Sequence, residues 1–308
     1  MYLILLLARE KMRSKGLALS VIILVFFLFI SEGRGAEAPI LSDIKSSTTY
    51  IFIKNANKLF PIGTGFFVGL KAPSKPGVFD ICLVVPKHFL YQPGTSQFLD
   101  TIYIRLNKKG GGSELAAIPI RAQGKDKTIF MHSDPSVDLV AMPALPDQKR
   151  FDFKFIPEQC ILSKETSAKL NIYEGFEVFF PSLFFPAFGS AVNYPFIRFG
   201  RFALITDGKI AWHGKPTDLY LIETGSYGAN SGAPVFFYME NNRVPRGQPT
   251  LKLGGIIQGT FCAASQEIRI MEKNASLPFS NMGIAAVIPS YKLHEILFSE
   301  EMKRKRGF

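Results

Sequence analysis

The residues of this chain that could do chemistry are a serine, an aspartate and a histidine, each beside a short apolar stretch. Gly228-Ala229-Asn230-Ser231-Gly232-Ala233-Pro234-Val235 holds Ser231 between small residues ahead of an apolar strand. Upstream lie Asp138, in Ser136-Val137-Asp138-Leu139-Val140-Ala141, and His88, in Leu83-Val84-Val85-Pro86-Lys87-His88-Phe89. A serine hydroxyl is a poor nucleophile until a neighbouring base takes its proton. Histidine can do so near neutral pH, and a carboxylate fixes its tautomer and steadies the imidazolium. Histidine, aspartate, serine is the chain order of one group of hydrolytic triads, while other triad folds use other orders. The small residues around Ser231 allow a tight turn that aims amide N–H groups at a developing oxyanion, with Ala229 and Ser231 as the expected donors.

Asp134 competes with Asp138 for the carboxylate role. It sits in His132-Ser133-Asp134-Pro135 and reads as a turn former before proline, whereas Asp138 directly precedes an apolar strand, as an orienting carboxylate should. His132, His213 and His294 read as surface or interfacial residues, and Trp212-His213-Gly214 as a structural part of a hairpin-like stretch.

The elements that must position these groups are strands. Thr48-Thr49-Tyr50-Ile51-Phe52-Ile53, Gly65-Phe66-Phe67-Val68, Asp80-Ile81-Cys82-Leu83-Val84-Val85 and Thr101-Ile102-Tyr103-Ile104-Arg105-Leu106 are short, rich in β-branched or aromatic residues, and bounded by Pro, Gly or Asn. Asn107 to Gly112 and Asn241 to Gly247 read as hairpin turns. Many short strands with few helical periods point to an all-β barrel or sandwich. One terminal helix is expected, capped by Ser290, with Tyr291, Leu293, His294, Ile296 and Leu297 as its stripe. A polar, turn-rich divide near Gln159 to Ala168 leaves His88 and Asp138 in the first half and Ser231 in the second. A site built from all three would therefore lie in the cleft between two β domains, a common place for sites.

On these motifs the chain resembles the trypsin-like (chymotrypsin-fold) serine peptidases, in particular the bacterial secreted type, from about Ile62 to Leu297. Gly63-Thr64-Gly65-Phe66-Phe67-Val68 is similar to an early strand of that family, Pro86-Lys87-His88 to its histidine motif, and Asp138-Leu139-Val140 to its aspartate strand. Asn230-Ser231-Gly232-Ala233-Pro234-Val235 is similar to the serine motif. Gly255-Ile256-Ile257-Gln258-Gly259 resembles the strand that lines the primary pocket and pairs with substrate, and Gly283 to Ser290 the last barrel strand. The resemblance implies two packed antiparallel six-stranded β-barrels with a short C-terminal helix, and endopeptidase activity through an acyl-enzyme. His88 would be base then acid, Asp138 the orienter and Ser231 the nucleophile. Gly225, Gln258 and Gly259 would contact substrate. Gly225 falls at the pocket floor, where an acid would select Lys or Arg, so an uncharged side chain is expected in the primary pocket. The chain departs from the family at Val85-Pro86 ahead of the histidine, at Ala229 in the oxyanion turn, and at Ala233 after the serine. A catalytically silent, protease-like binding or scaffold protein of the cell envelope is the alternative reading, with Ala229 as the spoiled position.

Composition bounds the rest. The 308 residues are 47% hydrophobic and 20% charged, which suits a globular chain and excludes a disordered one. Phe is abundant at 29 residues against a single Trp, so a phenylalanine-rich core is expected. Lys11, Arg13 and Lys15, the apolar run from Leu17 to Ile30 and Ala36-Glu37-Ala38 form a secretory signal pattern, too short for a spanning helix. Met12 is an alternative initiator, and an uncleaved membrane tether is the alternative to a cleaved signal. The expected division is 1–38 signal or anchor, 39–160 and 161–298 the two barrels, and 299–308 a basic tail. A secreted or periplasmic location follows from the signal pattern. The formal charge is +11, much of the excess lying in Lys303-Arg304-Lys305-Arg306. That run reads as a solvated tail, with attraction to an anionic surface as the other option. No interleaving of aromatic and basic residues supports nucleic-acid binding, and the expected partner is a peptide or protein substrate. Cys82, Cys160 and Cys262 have no metal spacing, and a Cys160–Cys262 disulfide is one option in an oxidising compartment. The reading calls for no metal or cofactor.

Overall fold

The computed structural model describes residues 41–307 apart from 56–57, 74–75, 125, 185–188, 190, 226–229, 241–242, 245, 247–249 and 263–280. The signal segment, Ala229 and most of the expected turn at Asn241 to Gly247 lie outside the described residues.

A one-and-a-half-turn helix, α1 (Leu41–Ser46), leads into β1 (Thr48–Asn55), β2 (Lys58–Lys71), β3 (Phe79–Val85), β4 (Thr101–Asn107), β5 (Ser113–Pro119), β6 (Phe130–Met131), β7 (Val140–Pro143) and β8 (Ile156–Pro157). The hydrogen-bonded order is β5-β4-β1-β2-β3-β7-β6, all antiparallel, with β8 added in parallel to β2. Alternate side chains from five strands, among them Ile51, Phe67, Leu83, Ile104 and Val140, meet in one core. The sheet therefore wraps around its inner face.

The second half opens with α2 (Lys164–Leu170), capped by Ser163, whose hydroxyl accepts the Thr166 N–H. Strands β9 (Glu177–Ser182), β10 (Phe196–Leu204), β13 (Tyr220–Thr224), β14 (Pro234–Tyr238), β15 (Leu251–Cys262) and β16 (Asn281–Pro289) close into a barrel in the order β10-β13-β16-β15-β14-β9. A separate hairpin, β11 (Ile210–Trp212) and β12 (Lys215–Thr217), stands between β10 and β13. Val178, Phe202, Ile222, Val235, Phe237 and Ile257 fill the barrel. The expected all-β architecture is present: two packed β units with helix at the end, consistent with the chymotrypsin-like double-barrel arrangement. The first unit has eight strands, two of them only two residues long.

A third core welds the two units. Phe66, Val68, Cys82 and Val84 project from the outer face of the first sheet and pack with Phe236, Leu253, Ile256 and Ile288 of the barrel. Strands β2 and β3 are thus buried on both faces, which is why they read as continuous apolar runs rather than alternating ones. Each such side chain contributes about 1.5–3 kcal/mol on full burial, so the cleft above this seam has rigid walls.

The C-terminus differs from expectation in two ways. Helix α3 (Ser290–Leu297) begins at Ser290, but the Ser290 hydroxyl accepts the Leu162 N–H at 3.2 Å and does not cap its own helix. Residues read as a basic tail form α4 (Glu300–Arg306), capped by Ser299 and seated through buried Met302. Arg306 Nε donates to Asp80 Oδ2 at 3.0 Å and its Nη2 to the Lys71 carbonyl, so part of the basic run is docked on the first sheet. Acidic residues in the first turn and basic ones in the last suit the helix dipole. Cys82 and Cys160 are free, buried thiols, and Cys160 is enclosed in the seam between the units; the side chain of Cys262, its expected partner, lies outside the described residues.

Candidate active site

His88 is set by the end of β3. Pro86 leaves the strand in extended geometry (φ −59°, ψ 139°) and starts a single 3₁₀ turn, Lys87–Leu90, pinned by the buried Phe89 and Leu90. The departure at Pro86 is accommodated here, since a residue without an N–H costs nothing at the entry to a turn. The pairing of Val85 with Val140 brings that turn beside Asp138, two residues before β7. Two hydrogen bonds then hold Asp138 to His88. The His88 backbone N–H donates to Asp138 Oδ1 at 2.8 Å, and His88 Nδ1 lies 2.5 Å from Asp138 Oδ2. The Lys87 N–H also reaches the Asp138 carbonyl at 3.3 Å. The Asp138 side chain is 15% exposed and that of His88 49%, so the carboxylate is sheltered while the far edge of the imidazole faces the cleft.

Asp134 does the other job expected of it. Its Oδ1 accepts from both the backbone N–H and the hydroxyl of Ser136, closing the turn that delivers Asp138. Those two bonds hold its carboxyl at about 2, below the ordinary range. His132 takes the interfacial of the two places expected for it. Its Nδ1 accepts the Asp134 N–H at 2.9 Å and its Nε2 sits 2.5 Å from Glu295 Oε2, tying the turn to α3.

Ser231 sits on a turn stitched to both halves. Its carbonyl accepts the Thr64 N–H of β2 at 3.0 Å; the next residue's N–H, at Gly232, donates to the Ile257 carbonyl of β15 at 2.7 Å. Gly232 has φ +84°, and a Cβ there would lie 1.9 Å from the Thr64 carbonyl oxygen. Only glycine fits that left-handed, crowded position. Among the described residues the Ser231 N–H has no protein acceptor. The Ser231 hydroxyl donates to the Gln258 carbonyl at 3.0 Å, not to His88. The register of β15 shifts between Ile257 and Gly259, and this bulge turns Gln258 toward the serine. Gln258 Oε1 is buried without a hydrogen-bond partner among the described residues. A buried acceptor left so costs about 1–3 kcal/mol.

These groups share one cleft of about 540 Å³. His88, Asp138 and Ser231 line it together with Gln258 and Gly259. Its opposite wall is the β11–β12 hairpin, contributing Trp212, His213, Lys215 and Thr217. His213 (φ +48°) and Gly214 (φ +74°) form a two-residue turn of the kind hairpins favour. The Trp212 ring lies over Gly259, where an added Cβ would be 3.0 Å from Cζ2. Sequence reasoning assigned Trp212-His213-Gly214 a structural place; the signal available was a lone Trp beside a His in an otherwise Trp-free chain. Gly225 is exposed and does not line this cleft; its carbonyl accepts from Arg198 Nη1 at 2.8 Å. Among the described residues no group of His, Cys, Asp and Glu could hold a metal ion.

No protein-family model matches this sequence, and no curated protein matches it. Among solved structures, a catalytically active tobacco etch virus protease complexed with product is similar at 11% identity and a TM-score of 0.43, over 86% of this chain and 82% of that one. A likeness at that level does not bear on the chemistry of this chain.

Proposed function

We propose that this chain is a trypsin-like serine endopeptidase, exported through residues 1–38 to a secreted or periplasmic location. The observation that carries the reading is the doubly bonded His88–Asp138 pair opening onto the cleft that also holds Ser231. Asp138 fixes the imidazole with Nδ1 protonated, leaving Nε2 as the acceptor. Rotation of the Ser231 side chain off the Gln258 carbonyl brings its hydroxyl toward that nitrogen. Oγ then attacks the peptide carbonyl carbon as its proton passes to His88. The oxyanion is held by the Ser231 N–H and, at a position outside the described residues, by that of Ala229. Collapse expels the amine, which takes the proton from His88, and water releases the acyl group by the same steps in reverse.

One observation favours the second reading, a silent peptide-binding protein. The Ser231 hydroxyl is engaged by Gln258 rather than by His88. Treatment of the full chain with a fluorophosphonate probe separates the two. Labelling of the parent, absent from Ser231→Ala and strongly reduced in His88→Ala, is expected for the peptidase. Folded parent protein that takes no label overturns it. Cell fractionation with amino-terminal sequencing tests export: a free terminus at residue 39 supports a cleaved signal, and an intact terminus in membranes supports the tether.

A further inference from the structure

We infer that the wall facing the candidate catalytic groups recognises a carboxylate, so that the peptide held in this cleft carries an Asp or Glu beside the β11–β12 hairpin. The inference rests on the proposed peptide-binding use of the cleft. Beyond Ile256 no described strand continues along the β14 side of β15, while β16 pairs the other side. An extended chain can lie there by strand addition, under the Trp212 ring. Gln258 Oε1, without a partner among the described residues, gives it one buried acceptor to satisfy.

The two charged side chains that line this space, Lys215 and Asp138, are unequally engaged. Lys215 and His213 line it, both exposed, and among the described residues no carboxylate is within ion-pair distance of Lys215. Lys87 lies within reach of the same field: burial lowers its pKa, Asp138 and Asp134 raise it in part, Lys215 lowers it again, and its Nζ donates to the Pro135 carbonyl at 2.7 Å. The acids nearby are already engaged. Both Asp138 oxygens accept hydrogen bonds from His88. Asp134 is bonded to Ser136 and lies 3.7 Å from Lys209. A peptide carboxylate beside the hairpin therefore meets Lys215, a cation with no ion-pair partner among the described residues, while Asp138 is oriented away from it by two bonds to His88. A basic peptide side chain there would meet the repulsion of Lys215, offset only in part by Asp138.

The test uses the full chain carrying Ser231→Ala, so that binding is read without turnover. Fluorescent peptides of matched sequence, with Glu, Gln or Lys walked through six positions, are titrated at low and high salt. At the position beside the hairpin, Glu is expected to bind about three- to five-fold more tightly than Gln, the size of a surface ion pair, and Lys more weakly. The contrast shrinks in high salt. Lys215→Glu reverses the order and Lys215→Gln abolishes it; both are exposed-site changes that keep the fold. An affinity indifferent to charge at every position, or a Glu preference untouched by Lys215→Glu, overturns the inference. The peptidase reading fails separately. A parent chain that takes no fluorophosphonate label, while its Ser231→Ala form keeps the Lys215-dependent Glu preference, is an acid-selective binder and not an enzyme.

Discussion

Replacing Gly232 by alanine tests the claim that the serine turn exists only because one residue lacks a side chain. The left-handed backbone, φ +84°, costs an alanine about 1–2 kcal/mol. Steric contact costs more. The added Cβ would stand 1.9 Å from the Thr64 carbonyl oxygen and 2.8 Å from Pro86 Cδ. Neither can swing aside, since one is strand backbone and the other a proline ring at the entry to the His88 turn. Relief requires β2 and the serine turn to separate, which breaks the Thr64 N–H to Ser231 carbonyl bond, worth about 1 kcal/mol. With residual strain the total is about 3–5 kcal/mol, and at about 2–4 °C per kcal/mol for a protein of this size the midpoint falls by roughly 10 °C. Thermal and denaturant unfolding read this directly. Gly110→Ala is the control: nothing lies within 4 Å of its Cβ, and the change is expected to stay within about 0.5 kcal/mol. Fluorophosphonate labelling of folded Gly232→Ala at low temperature should also be strongly reduced, because the shift moves Ser231 relative to His88. A variant that melts with the parent and labels equally would refute the reasoning.

Asp138→Asn is expected to fold and to lower kcat by about 10³–10⁴, since an amide nitrogen against Nδ1 stabilises the wrong tautomer; active-site titration with peptide turnover checks it. His294, stacked on Phe298, has its pKa lowered by burial. The unfolded chain therefore takes the proton first, and stability should fall as pH drops through about 6.5, with the slope removed in His294→Gln. Asp134, held at about 2, contributes stability that is present above about 3.9 and lost as pH falls toward 2; Asp134→Asn should flatten acid unfolding in that window. Burial raises the thiols of Cys82 to about 12 and Cys160 to about 11. Neither should react with a disulfide reagent at pH 8 until denaturant is added, as mass spectrometry of the labelled peptides would show.

The strands were legible because their period and their boundaries are local properties. Asp80 to Val85 reads as a strand by itself, and its neighbours need not be known. His88, Asp138 and Ser231 were legible for a related reason, since each sits where an apolar strand begins or ends, and Asp134 was separable from Asp138 by its proline. The helix formed by Glu300–Arg306 was not legible as a docked element. Its composition is that of a solvated run, and what holds it is Asp80, more than 200 residues away. Ser290 likewise looked like a cap until Leu162 was found as its partner.

Sequence alone determined the residue types, their order and the short elements around them, because those follow from side-chain chemistry and from spacing along one strand. Tertiary structure alone decided that Val85 pairs with Val140, so that Asp138 closes on His88 at 2.5 Å. It also decided that Ser231 rests on Gln258 and that the Trp212 hairpin forms the facing wall. Those contacts join residues tens to more than a hundred positions apart, and their distances depend on register, bulges and the packing of two β units. No window of sequence contains that information.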